Sequence, residues 1–258
     1  ETIVPAAANR TVFLAAPLVG LAALVVLQLF IPIHGWAAFS GMADVVVVLY
    51  LLLIPAMSVM LGGAATASPY AGVGLSREMV TVISCELPLV LVLLAVGKAV
   101  GGDSVTFSFS AISAWQLENG SLITRAGLIP AVLAMLLVIP GETGSHPFDT
   151  AEAETEICEG LLAEYSGGPL AVYKLSHAVK LLTMSSLFVA LFLGGVGTGI
   201  IALDAVILFA LCTVIVAIFV SLVHAVTARL KIEQVFKYYW TVVTALAAIS
   251  LVLVWYGL

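Results

Sequence analysis

Residues 201 to 224 read IALDAVILFALCTVIVAIFVSLVH, with one acid near the start, one histidine at the end and no charge between them. A helix of about twenty such residues, rising 1.5 Å each, crosses the roughly 30 Å hydrocarbon layer of a bilayer, whereas a soluble strand is far shorter. Further apolar blocks of similar length flank this one, at about 12–33, 43–63, 79–100, 122–141, 170–194 and 237–257. Turn-forming residues fall between the blocks: Pro32-Ile33-His34-Gly35, Gly62-Gly63, Gly101-Gly102-Asp103, and Gly194-Gly195 through Gly199. The pattern predicts an all-α integral membrane protein with seven transmembrane helices, a single polytopic domain over residues 1–258.

Composition agrees. Of the residues, 62% are hydrophobic and 9% charged, while a soluble domain is about one quarter charged. A net charge of -6 with only nine Lys and Arg excludes a nucleic-acid partner, which needs clustered cations. Cys85, Cys158 and Cys212 have no C-x-x-C spacing, so neither a metal centre nor a disulfide framework is indicated and any redox centre belongs to another chain. The chain starts at Glu1 with no positively charged leader, which suggests that it begins inside a longer one.

Positive charge assigns the sides. One set of connections holds Arg10, Arg77, Lys174, Arg229, Lys231 and Lys237; the other holds only Lys98 and Arg125, with Asp44, Asp103, Glu118 and Asp204. The excess of cations marks the cytosolic side, which makes residues 142–169 a cytosolic loop.

That loop carries the chemistry. From Ala126 to Tyr173 there is no Lys or Arg, yet Glu142, Asp149, Glu152, Glu154, Glu156, Glu159 and Glu164 all lie there. On a helix starting near Asp149, the residues Asp149, Glu152, Glu156 and Glu159 would share an arc of about 80°, with Glu154 opposite. The plainest reading of such a run is a solvated acidic loop. Against it, His146-Pro147-Phe148-Asp149 offers an anchor and an N-cap, Tyr165 to Pro169 a sharp stop, and Phe148, Ile157, Leu161 and Leu162 apolar contacts. A packed loop is expected, and packed carboxylates cannot all ionise, which is the requirement for a proton relay.

Glu86 lies inside an apolar block beside Pro88. An ionisable group there is costly and is a functional candidate, with a carboxylate reaching back to the interface as the alternative. Lys174, His177 and Lys180 recur every third residue and are candidate counterions for the acids, or positive-inside anchors. Arg77, just before Glu78, either pairs with the acidic segment or caps a helix end. His34 and His224 read as interfacial, and Asp44 and Asp204 as helix-start acids.

Pro147-Phe148-Asp149, Ala151-Glu152-Ala153-Glu154, Glu156, Glu159-Gly160 and Glu164-Tyr165-Ser166-Gly167 together resemble the signature of the complex I membrane subunit family NuoH/ND1 and its hydrogenase relatives. Ser68-Pro69 with Gly74-Leu75-Ser76-Arg77-Glu78, and Ala228-Arg229-Leu230-Lys231, are similar to that family's cytosolic loops. Glu159-Gly160 and Glu164 to Gly167 look most like the membrane anchor subunit of group 4 membrane-bound [NiFe] hydrogenases. The resemblance implies an eight-helix fold whose first helix is missing here. It implies no cofactor in this chain, with the [NiFe] centre and iron–sulfur clusters in partner subunits: hydrogenase large and small subunits and an iron–sulfur subunit on the cytosolic side, and antiporter-like subunits in the membrane. The location implied is the cytoplasmic inner membrane. Glu86, Asp149, Glu152, Glu154, Glu156, Glu159 and Glu164 would form a proton or ion relay, with Arg77, His177 and Lys180 as basic partners.

The function expected is therefore a non-catalytic, energy-coupling subunit that links electron transfer, from ferredoxin to protons with hydrogen evolution, to proton or sodium translocation. Two alternatives stand beside it: the quinone-site subunit of a complex I-type oxidoreductase, and a self-sufficient secondary transporter, for which paired interrupted helices would be expected.

Overall fold

The computed structural model describes residues 3–32, 44–102, 104–196 and 198–257, and within them all side chains but those of Glu154 and Thr155. His34 and Asp103 lie outside that set. Among the described residues, six helices are long and apolar enough to cross a membrane: α1 (Arg10–Phe30), α2 (Val45–Ala65), α3 (Pro69–Gly101), α6 (Gly167–Phe192), α7 (Ile201–Val226) and α8 (Ile232–Trp255). A surface helix, α4 (Phe109–Asn119), follows α3, and a shorter apolar helix, α5 (Ile129–Glu142), is the seventh span. The expected all-α membrane architecture is present.

Local chemistry sets the limits. Asn9 caps α1 by accepting from the Val12 N–H, and Pro69 occupies the first turn of α3 after Ser68, a position where the missing N–H costs nothing. This start puts ten residues, Pro69 to Glu78, ahead of the expected block, so α3 runs for 33 residues and projects beyond the apolar layer. α5 is shorter than expected because its outer end is two 3-10 turns, Leu122–Thr124 and Ala126–Leu128. Both α7 and α8 contain a wide π turn, at Val216–Leu222 and Tyr239–Val243. In the second, the Thr244 hydroxyl donates to the Tyr239 carbonyl at 2.7 Å.

The core is centred on α3, which packs against α2, α5 and α8. Leu89, Val92 and Val96 of α3 meet Met135 and Ile139 of α5 and Tyr239, Val243 and Ala247 of α8, all buried at helical spacing. α1 packs against α2 and α6, and α7 leans on α6. Gly62 of α2 admits the Tyr165 and Tyr173 hydroxyls, which would collide with a Cβ there; Tyr165 in turn stacks on Phe13 of α1 at 4.1 Å. α4 lies across helix ends at the opposite pole: Phe109, Ile112, Ser113 and Gln116 face inward, and the Gln116 amide donates to the Ala190 and Leu191 carbonyls at 3.0 and 3.1 Å. It thereby satisfies carbonyls that the end of α6 leaves open.

Candidate functional site

Residues 143–166 join α5 to α6 as a packed loop, as its apolar residues suggest. Phe148, Ile157, Leu161, Leu162 and Tyr165 are buried, and Phe148 sits against Tyr238 and Tyr239 of α8, with ring centroids 5.9 and 5.1 Å away. The loop is not one helix, and the carboxylate stripe is not formed. Only Glu154–Ile157 makes a helical turn; Cys158 and Glu159 then adopt left-handed backbone (φ 49° and 65°), and a 3-10 turn follows at Gly160–Leu162. Asp149 caps no helix. Its carboxylate binds Arg229 at 2.6 Å and His146 at 2.9 Å instead, while the Leu230 N–H donates to the Pro147 carbonyl. Thus the α7–α8 connection is fastened to the loop's start.

Arg77, on the projecting turns of α3, pairs with Glu156 and donates to the Thr150 carbonyl at 3.3 Å. One turn on, the Thr81 hydroxyl meets that of Thr150 at 3.1 Å. Lys180 finds Glu142 at 3.2 Å, both buried. Lys180 therefore answers the acid at the end of α5 rather than the loop acids proper. The second Glu142 oxygen, Oε2, is buried with no hydrogen-bond partner among the described residues, an arrangement that costs free energy unless water fills it.

Three cavities follow one another from this loop inward. The first, of ≈ 310 Å³, holds Asp149, Glu152 and Glu159 together with His146, His177, His224, Lys174 and Arg229. The second, of ≈ 150 Å³, has Asp149, Glu152, Lys174 and His177 again, and adds Glu78, Glu142 and Lys180. The third, of ≈ 370 Å³, is an apolar groove between α2 and α3 whose acids are Glu86 and Glu142. Glu152 is a wall of the first two, and Glu142 of the last two. Burial raises the pKa of Glu152 above the usual carboxylate range; Glu159 and Asp149 push the same way, and Lys174 and Lys180 oppose them.

The sequence-derived candidates divide accordingly. Glu86, Asp149, Glu152, Glu159, His177 and Lys180 are brought onto the cavity series. Glu156 is exposed and held by Arg77, Glu164 is exposed and lines none of the three, and the side chain of Glu154 lies outside the described residues. Sequence reasoning missed Glu78 and His224 as members, and counted Glu142 in the acidic run without assigning it to the relay. A buried Lys180 demands a carboxylate at its own depth, and Glu142, ending the preceding span, was the available one. Glu78 stands eight residues before Glu86, close to the same helix face. His224, expected at the interface, packs its ring edge-to-face on His146 at 4.8 Å; nothing in sequence brings those two together.

Comparison with known proteins gives the family. The NADH dehydrogenase family model matches residues 1–255. Hydrogenase-4 component C of Escherichia coli is 37% identical over 179 residues, 69% of this chain and 55% of that protein. NADH-quinone oxidoreductase subunit 8 of Thermus thermophilus is 31% identical over 93% of this chain and 66% of its own length. The chain thus spans between about half and two thirds of these relatives. Among solved structures, a chain of the membrane-bound sulfane sulfur reductase, an archaeal respiratory membrane complex, superposes with a TM-score of 0.88 at 27% identity, over 98% of this chain and 82% of that one. A family model matched over nearly the whole chain, relatives in respiratory complexes and a shared helical bundle give one conclusion: the chain is a membrane subunit of the NADH dehydrogenase family (NuoH/ND1).

Proposed function

We propose that the chain is the energy-coupling membrane subunit of a respiratory membrane-bound hydrogenase complex. It anchors a redox module at the 142–169 loop and passes protons or sodium ions inward through its carboxylates. The reading is carried by the shared walls: Glu152 joins the first cavity to the second, and Glu142 the second to the apolar groove of Glu86. Carboxylates so placed exchange charge with their neighbours without any large movement of the backbone. Lys180 pairs with Glu142, Arg229 with Asp149 and Arg77 with Glu156, while burial pushes the pKa of Glu152 up. Such a set changes its proton occupancy when a charge changes nearby, as it does when a cluster or substrate in an adjoining subunit is reduced.

The greater identity to Hydrogenase-4 component C than to the NADH-quinone oxidoreductase subunits supports a hydrogenase partner; the proposal takes ferredoxin as the donor and protons as the acceptor. In this reading the [NiFe] centre and iron–sulfur clusters reside in the large, small and iron–sulfur subunits, and antiporter-like subunits adjoin the groove. The alternative, a quinone-site subunit, is favoured by the length of the match to NADH-quinone oxidoreductases.

The test uses the whole complex in sealed vesicles, with hydrogen evolution and ion uptake measured together. Glu142→Gln and Glu152→Gln should leave hydrogen evolution in place and cut ion uptake by about tenfold or more. Unchanged uptake per hydrogen would remove the relay. A co-purifying quinone, or loss of activity on quinone-site inhibition, would favour the alternative.

A further inference from the structure

Glu86 stands eight residues past Glu78 and fifteen short of Gly101 on α3, about 12 Å and about 22 Å along the helix axis. A glutamate side chain reaches neither end from there. Glu86 is half-buried and lines the groove between α2 and α3, a cavity of ≈ 370 Å³ whose other lining residues are aliphatic or aromatic apart from Glu142. Among the described residues no cation lines that groove, and Glu86 has no hydrogen bond or ion pair with any of them. Glu142 compounds this: Lys180 takes its Oε1 at 3.2 Å, while Oε2 is buried with no hydrogen-bond partner among the described residues. Exposed apolar ridges flank the groove, Val46, Tyr50, Met57 and Leu61 on α2 and Ile83, Leu87 and Val90 on α3, at spacings of three, four or seven residues that keep each row on one helix face. Lipid chains would cover the ridges, but they carry no hydrogen-bond donor, and a carboxyl left without one at this depth is costly. The exposed row of α7, Val206, Phe209, Val214 and Ile218, holds no ionisable group and suits lipid alone.

We propose that the α2–α3 groove seats a transmembrane helix of a neighbouring subunit, and that this helix carries a lysine or arginine to Glu86. The inference rests on the reading of the chain as one subunit of a membrane complex, and it names what the neighbour presents at this face. Length and depth require a helix, since the occupant is apolar along the ridges and polar at one level within the hydrocarbon. Charge chooses among the donors. The groove offers two carboxyls, and Lys180 is already engaged by Glu142, so a cation is attracted to both acids, whereas an amide or hydroxyl gains a neutral hydrogen bond only.

The experiment uses the assembled complex in its membrane. Photoreactive p-benzoylphenylalanine replaces Tyr50 on α2 or Val90 on α3, with Glu86 intact, and the adducts formed on irradiation are sequenced by mass spectrometry. Both positions should join one apolar segment of about twenty residues from a neighbouring subunit, with a Lys or Arg in its interior. Adducts with lipid alone, or with a segment that lacks both residues, overturn the proposal. Charge reversal is the second measure. Glu86→Lys should lower co-purification of the cross-linked subunit about tenfold or more, as like charges set against each other in an interface do, and exchanging that subunit's Lys or Arg for Glu should restore it. Equal co-purification in all three complexes overturns the pairing. Where Glu86→Lys fails to accumulate, the cross-links decide, since they need no change at Glu86. Both readouts concern assembly, so a relay that fails, with ion uptake unchanged in Glu142→Gln, leaves them as they are.

Discussion

Glu142 and Lys180 face each other at 3.2 Å in a buried setting, and each makes the other tolerable there. Lys180→Met leaves a buried carboxylate alone and should cost about 3–5 kcal/mol, whereas the double variant Glu142→Gln with Lys180→Met should recover much of the loss; thermal melting of the three variants checks this. Glu152 gives a pH signature of opposite sense to an exposed acid. Its pKa is raised by burial, so the fold favours its neutral form. Its contribution is complete below the ordinary carboxylate pKa of about 4.3 and is lost as pH rises through the higher folded value. Glu152→Gln should match the wild type in acid and melt at a higher temperature above that window, which a pH series of melting curves reads directly. At this scale the sequence was legible where a residue contradicted its surroundings: Glu86 among apolar neighbours, Lys180 within a span, Arg77 across from a run of acids. It was silent where a role depends on a distant partner, as with Asp149, which turns to Arg229, and His224, which turns to His146.

Among the elements, the loop of residues 143–166 shows the limit of helical periodicity. Its acids repeat at a spacing that would line one face, but Cys158 and Glu159 take left-handed backbone, which non-glycine residues seldom adopt and which composition does not announce. The turn that follows depends on Gly160: its φ is +49°, and a Cβ there would run into the Ala151 carbonyl and Ile157. Gly160→Ala should therefore loosen the loop while leaving the spans intact, seen as faster amide exchange over residues 150–165 with unchanged helix content. α4 escaped notice because it is short and its inward face mixes Phe109 and Ile112 with Ser113 and Gln116, so no apolar run marks it. The ten extra residues at the start of α3 escaped for the same reason, since a helix projecting past the hydrocarbon needs no hydrophobicity.

For the molecule as a whole, hydropathy alone was sufficient to count the spans, because the bilayer imposes one length on every segment that crosses it. Sidedness rests on the cations and has its own test. Cys158 is exposed on the acidic loop, while Cys85 and Cys212 are buried. A membrane-impermeant maleimide should label Cys158 in inverted vesicles stripped of soluble subunits and spare it in right-side-out ones. The wide turn at Tyr239–Val243 also acts at this scale. A π turn holds one more residue than a regular helix would, so the two halves of α8 are out of phase by about 100°. The half nearer the acidic loop presents Tyr238 to Phe148, and the far half presents Ser250 to Gly127. A chain one residue shorter between positions 240 and 242 would make a smoother helix and a worse protein, able to seat one end of α8 only by turning the other away. The irregular turn thus works as a keyed coupling on a shaft, fixing the azimuth of the loop-bearing pole against that of the opposite one.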